Sequence, residues 1–292
     1  MRIAVFDDHR IGAVVDRDGH DVVYDLTGLV PGRPPGDPYV VNAFVAAFPA
    51  LRPAIDELIA AGDPVPLPLE RVRLRPPIPR PVNLLAAPVN YRAHREEMTG
   101  PLSTGGGTAN EMGFFVKATG SISGPADDIL LPPIADRRFD FEGEVAVVVG
   151  ARLQGAGPDE ALAGVFGYTI LLDMTMRMTE TQREERPMRK SYATFSPLGP
   201  WIVTADEVPD PARLSLRTWC NGELRQQATL DQLIVSVPDL LSRASHVLPL
   251  EPGDVYTTGS PAGVGQVVPG DRIEVEVPAI GRLAVDVAAR PW

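Results

Sequence analysis

The sequence predicts a mostly β protein with some α, arranged as a small N-terminal α+β domain over residues 1–75 and a larger β-rich domain over residues 76–292. Three observations predict it. Short β-branched runs alternate with Gly, Pro, Asp and His turn residues along most of the chain. One stretch near the N-terminus spaces its apolar residues by three and four, the period of a helix. Between Pro64 and Pro81 stand seven prolines, too many for a helix interior or a central strand, which marks the domain boundary.

Taken in order, Arg2 to Phe6, Ile11 to Val15 and Val22 to Leu26 are the runs of a small antiparallel meander. From Tyr39 to Ala61, Phe44, Phe48, Leu51, Ile55, Leu58 and Ile59 lie on one helical face, and Gly62 supplies a stop. Pro49 and Pro53 are expected to split this stretch into two short helices, because each lacks the N–H that the ladder needs. Beyond the proline-rich segment, Val145–Val149, Thr169–Leu172, Ser215–Trp219, Val255–Thr258 and Ile273–Val277 read as strands between Gly and Pro turns. The loop from Thr99 to Asn110, rich in glycine and poor in anything to bury, reads either as a mobile lid or as a plain surface connection.

Composition narrows the function. With 292 residues, 44% hydrophobic and 22% charged, the chain has the make-up of an ordinary soluble globular protein. A net charge of −11 argues against nucleic acid and acidic membranes as partners, since both need clustered Lys and Arg. The single cysteine, Cys220, leaves no internal disulfide framework and no cysteine-rich zinc site. The N-terminal apolar run is too short for a signal segment and no stretch approaches a membrane span, so a cytoplasmic protein is expected.

Chemistry concentrates in a few places. In Phe139-Asp-Phe-Glu-Gly-Glu-Val-Ala-Val-Val-Val149, strand alternation puts Asp140, Glu142 and Glu144 on one face, and the valines that follow look buried on both faces. A carboxylate beside such surroundings needs a cation. Asp173 follows the apolar run Gly167 to Leu172; alone it reads as a turn or helix cap, just as Glu-x-Glu alone reads as an exposed strand edge. If the three acids meet, their all-oxygen donor set selects a hard ion such as magnesium, manganese or calcium. His94 and Glu97 fall on one side of a helical turn, either a surface pair or a histidine oriented by a carboxylate as a general base. The run Arg183 to Lys190 reads as a solvated charged loop, with Lys190 at its edge placed to reach a carboxylate substrate. Thr258 to Gly265, which contains Ser260, reads as a tight turn whose backbone can approach a ligand.

Together these segments resemble the fumarylacetoacetate hydrolase family. The resemblance rests on Asn90-Tyr91-x-x-His94-x-x-Glu97, Lys117 to Pro125, Asp140-Phe-Glu-Gly-Glu144, Gly167-Tyr-Thr169 with Asp173 and Arg177, Lys190-Ser191, Ser196 to Trp201, Asn221-Gly-Glu223, Pro252-Gly-Asp254, Thr258 to Gly265 and Gly270-Asp271, in the family's order. It runs from about Pro77 to the C-terminus. It implies a distorted β-roll catalytic domain, usually in a homodimer, with magnesium or manganese held at the positions of Glu142, Glu144 and Asp173. It further implies a water-activating pair at His94 and Glu97, and substrate contacts from Arg177, Lys190 and Ser260.

The activity so implied is hydrolysis of a carbon–carbon bond in a β-diketo or acylpyruvate-type oxo acid. Decarboxylation, tautomerisation or dehydration of an oxo acid at the same metal is the second reading, and a ligand-binding protein without turnover is a third, of another class. This sequence departs from the family's pattern at Leu172, Met178 and Glu180, which stand in place of polar Asn, Asp and Gln, and at Ala193 in place of Asp. Those departures point to an altered substrate wall around an intact metal and base.

Overall fold

The computed structural model describes residues 1–30, 36–97 and 107–291. Its largest sheet has twelve strands. Their main order is Leu67–Pro68, His20–Asp25, Arg10–Arg17, Arg2–Phe6, Ser196–Thr204, Val165–Leu172, Gly143–Val149, Val255–Thr257, Leu84–Ala86 and Phe115–Val116. A five-stranded sheet, Glu223–Thr229, Ser215–Cys220, Arg272–Val277, Gly281–Ala289 and Ile129–Leu131, covers one face, and a three-stranded ribbon centres on Phe139–Phe141. The mostly β reading holds.

The expected meander forms with Arg2 opposite Val14 and Gly12 opposite Asp25. It joins the rest of the protein through backbone pairing, Arg2 with Val203 and Ile3 with Ile202. The proline-rich segment is laid along the same sheet: Leu67–Pro68 pairs with Val22 and Val23, and Leu74–Arg75 pairs with Val5 and Phe6.

Val40–Ala61 is one continuous helix of 22 residues with Pro49 and Pro53 inside it, not two short ones. Both prolines are exposed and four residues apart, so their rings share the solvent side of the helix and leave its apolar side intact. The apolar face carries on past them. Val40, Val41, Phe44, Val45 and Ile55 are buried, and Phe48 meets the Phe166 ring edge-on at 5.0 Å. Gly62, in the left-handed conformation, closes the helix by donating to the carbonyls of Leu58 and Ile59.

Gly143–Val149 explains how the interior is layered. Val145, Val147 and Val149 enter the larger core, between the two big sheets, while Ala146 and Val148 enter the core under the long helix. Each buried valine contributes roughly 1.5–3 kcal/mol, which fixes this strand's register and the acids at its start. The run that alternation predicts as one strand is in fact two. Phe139–Phe141 belongs to the ribbon and Gly143–Val149 to the central sheet, with the change at Glu142. Glycine is required next to that change, because a Cβ on Gly143 would lie 2.2 Å from Thr218 Oγ1.

Of the Thr99 to Asn110 segment, read either as a lid or as a plain surface connection, residues 99–106 lie outside the described residues. It ends in the one-turn helix Ala109–Met112, whose Thr108 and Glu111 cap each other.

Candidate metal centre

Three carboxylates converge at the strand change. Glu142, Glu144 and Asp173 are all buried, and their ligand atoms lie within 4.8 Å of one another. Two neighbouring strands hold them there, with Glu144 opposite Leu171, Gly143 opposite Leu172, and the Asp173 N–H donating to the Glu142 carbonyl at 2.8 Å. Asp173 is therefore neither an exposed turn nor a cap.

Cations surround the acids. Lys190 Nζ bridges Glu142 Oε2 at 2.7 Å and Asp173 Oδ2 at 2.6 Å. Arg177 donates to Asp140 Oδ2 and Glu142 Oε1, each at 2.8 Å. Lys117, fully buried, donates to Asp173 Oδ1 and to the Phe195 carbonyl. The two glutamates are driven apart in acidity. Burial opposes ionisation of Glu142, but Lys190 and Arg177 outweigh it and hold its carboxyl far below the usual range. Burial and the neighbouring Asp173 push Glu144 up to about 8. Its Oε2 accepts the Gly259 N–H at 2.9 Å, yet no ammonium or guanidinium pairs with it among the described residues. A buried all-oxygen acid set in which one carboxyl has no cationic partner fits a hard divalent cation.

On the cavity's other side stands His94, on the short helix Arg92–Glu97. Its Nδ1 lies 3.2 Å from Glu97 Oε2. A carboxylate only accepts, so Nδ1 carries the proton and Nε2 keeps the lone pair of a ring that lines the cavity. The bond from His94, reinforced by the Gly263 N–H at 3.2 Å, holds Glu97 below the usual carboxylate range. Asn90 moors the start of this helix, donating to the Val235 and Thr258 carbonyls and accepting from the Val235 N–H. Ser260 also lines the cavity. Its hydroxyl donates to the Gly143 carbonyl and accepts from Gln226, so it braces the strand change.

The expected site residues therefore line one cavity, except Glu97, which reaches it through its contact with His94. Lys117, Asp140, Arg186 and Arg189 were missed as members of the site. A lysine ending the apolar run Phe114-Phe-Val116 was the available signal for Lys117, since a charge there has to be paired. The charged run from Arg183 is not simply a solvated loop. Arg186–Lys190 is a helix with Arg189 and Lys190 buried, Lys190 against the acids. Leu172, Met178, Glu180 and Ala193 are not among the residues lining the cavity; Leu172 packs in the core, and Glu180 and Ala193 are exposed.

The family profile described as "Fumarylacetoacetate (FAA) hydrolase C-terminal" matches residues 83–288. This chain belongs to the fumarylacetoacetate hydrolase family. A maleylpyruvate hydrolase of Aquipseudomonas alcaligenes is 35% identical over 293 residues, covering 98% of this chain and 99% of the relative. Among solved structures of the fold, the maleylpyruvate hydrolase of Sphingobium sp. SYK-6, in complex with manganese(II) and pyruvate, superposes with a TM-score of 0.87. It has 37% identity, with both chains fully covered. A 5-carboxymethyl-2-hydroxymuconate delta-isomerase from Mycobacterium smegmatis superposes at 0.75 with 30% identity, again over both whole chains.

Proposed function

We propose that the chain hydrolyses maleylpyruvate or a closely similar acylpyruvate, releasing pyruvate, with His94 and Glu97 as the water-activating pair. It is a metal-dependent hydrolase acting on carbon–carbon bonds. The observation that carries the substrate reading is the pairing, in one buried cavity, of an oxygen-donor acid triad with a histidine whose Nδ1 is held by Glu97.

Glu142, Glu144 and Asp173 would hold the ion, for which we take magnesium, with manganese and calcium suited to the same donors. When bound, such an ion acts as a Lewis acid on the chelated oxo acid. His94 Nε2 takes a proton from water as the water oxygen adds to the distal carbonyl. The carbon–carbon bond then breaks, its electron pair stays with the pyruvate fragment, and the proton held by His94 passes to that carbon. Glu97 keeps the imidazole in the required tautomer and steadies its positive charge. Arg177, Lys190 and Ser260 border the oxo-acid end, and Lys190, held between Glu142 and Asp173, would supply the ammonium for the substrate carboxylate.

Pyruvate release from an acylpyruvate, followed in wild type and His94→Ala and with EDTA added and then reversed by magnesium, tests this. Loss of release in His94→Ala and under EDTA is expected. Decarboxylation of oxaloacetate that does not need His94, with no acylpyruvate turnover, would assign the chain to the family's lyase chemistry instead.

No described helix is long and apolar enough to cross a membrane. A cytoplasmic homodimer without nucleic-acid or membrane partners, and a division of the chain at residues 75 and 76, complete the proposal.

A further inference from the structure

Four cations and three carboxylates line the cavity: Arg177, Arg186, Arg189 and Lys190 with Glu142, Glu144 and Asp173. Arg177 and Lys190 are bonded to acids. Just behind the wall, Lys117 and Asp140 add one charge of each sign, Lys117 bonded to Asp173 and Asp140 to Arg177. Arg189 is different. It is 3% exposed, yet its Nε and Nη1 donate only to the backbone carbonyls of Glu184 and Met176, at 2.8 and 3.3 Å. The Glu184 carboxylate is held by Arg137. Among the described residues, no acid is within ion-pair distance of Arg189. A buried cation that meets dipoles but no charge is costly unless an anion arrives.

Arg186, three residues earlier on the same helix, lies over the Phe115 ring at 5.8 Å and borders the same cavity. Burial and the nearby Arg186 and Arg177 hold Arg189 below the usual arginine range, so these guanidinium groups repel one another. Adding a divalent ion to this lining leaves a positive excess that a monocarboxylate offsets only in part.

We infer that Arg186 and Arg189 form an anion subsite that reads a second, distal carboxylate, making the enzyme selective for acylpyruvates whose acyl group ends in an acid. The inference rests on the acylpyruvate reading for the reacting end of the substrate. That end is taken by the acid triad with Arg177 and Lys190, and the other end is assigned to Arg189, which meets no acid among the described residues, with Arg186 beside it on the cavity lining. Guanidinium suits the task, since its planar donors match a carboxylate two bonds at a time.

The test uses the metal-loaded full chain and a matched pair of substrates, maleylpyruvate and its ester at the distal carboxylate. Wild type is expected to favour the free acid by about 100-fold in kcat/KM, mostly through KM. Arg189→Gln should lower kcat/KM for the acid at least tenfold more than for the ester, and Arg186→Gln should do the same more weakly. Equal use of acid and ester by wild type overturns the inference, as does an equal loss on both substrates in Arg189→Gln. If Arg189→Gln does not fold, Arg189→Lys and the half-buried Arg186→Gln supply the same comparison. If neither compound is cleaved, the hydrolase reading fails and the subsite is judged by calorimetry with maleate and its monomethyl ester. Tighter binding of maleate that Arg189→Gln abolishes supports the subsite; equal binding of the two refutes it.

Discussion

The two sides of the cavity are built differently. Glu144 sits on a strand of the central sheet, and Glu142 and Asp173 sit at the adjoining ends of that strand and its neighbour, cross-linked by backbone hydrogen bonds and by buried lysines. His94 sits on a six-residue helix that borders the region outside the described residues and is moored by Asn90 and by the contact of Glu97 with Gly263. The acid side is thus part of what holds the protein together, whereas the histidine side is an attachment. Damage to the first should cost folding and metal together, and damage to the second chemistry alone.

Asp173→Asn is the harshest break. It is expected to abolish metal binding and reduce turnover by at least about a thousandfold. It should also destabilise the fold by about 3–5 kcal/mol, because Lys117 is left buried without its acid. Thermal melts and metal titration check both parts, and adding Lys117→Met should restore stability without restoring metal. A variant that loses metal but melts like wild type would show that the acid side is not structural.

His94→Ala comes next. We expect kcat to fall by about 10²–10⁴ while metal affinity and melting temperature stay near wild type. Parallel loss of metal affinity would mean that the two sides are not separable.

A pH experiment sharpens the acid side. Burial and Asp173 raise the Glu144 carboxyl to about 8, so the metal-free protein keeps it protonated at neutral pH. The ion needs the carboxylate. Metal binding should therefore release a proton below pH 8, and affinity should climb with pH and level off above about 8. In the metal-free protein the sign reverses for stability: the folded state binds more protons than the unfolded one, so stability falls as pH rises from the ordinary carboxylate range toward 8. Calorimetry in buffers of different ionisation enthalpy reads the proton directly, and Glu144→Gln should remove it.

The same contrast governs what the sequence made legible. Strand-borne features are periodic, so the meander, the doubly buried valine strand and the shared face of Glu142 and Glu144 follow from alternation. The meeting of Asp173 with them does not, because pairing between distant strands leaves no local trace; the ordered motifs of the family carried that step. The break at Glu142 was invisible because it depends on Thr218 crowding Gly143 from another sheet. The unsplit helix was misjudged because the prolines face solvent, which spacing does not reveal. Arg189 was assigned to solvent for the opposite reason, since a charged run in sequence does not show which of its members turns inward.

The departures from the family pattern give the gentlest test. A change of Gln to Glu180 in a substrate wall should alter specificity strongly, because a buried anion would repel an oxo acid. The Glu180 side chain is instead exposed and does not line the cavity. Glu180→Gln should therefore leave kcat/KM for an acylpyruvate within about twofold and stability within about 0.5 kcal/mol. A gain of tenfold or more would place Glu180 against the substrate after all, through a rearrangement on binding. The weight of specificity would then shift from the arginines of the short helix to the segment just before it.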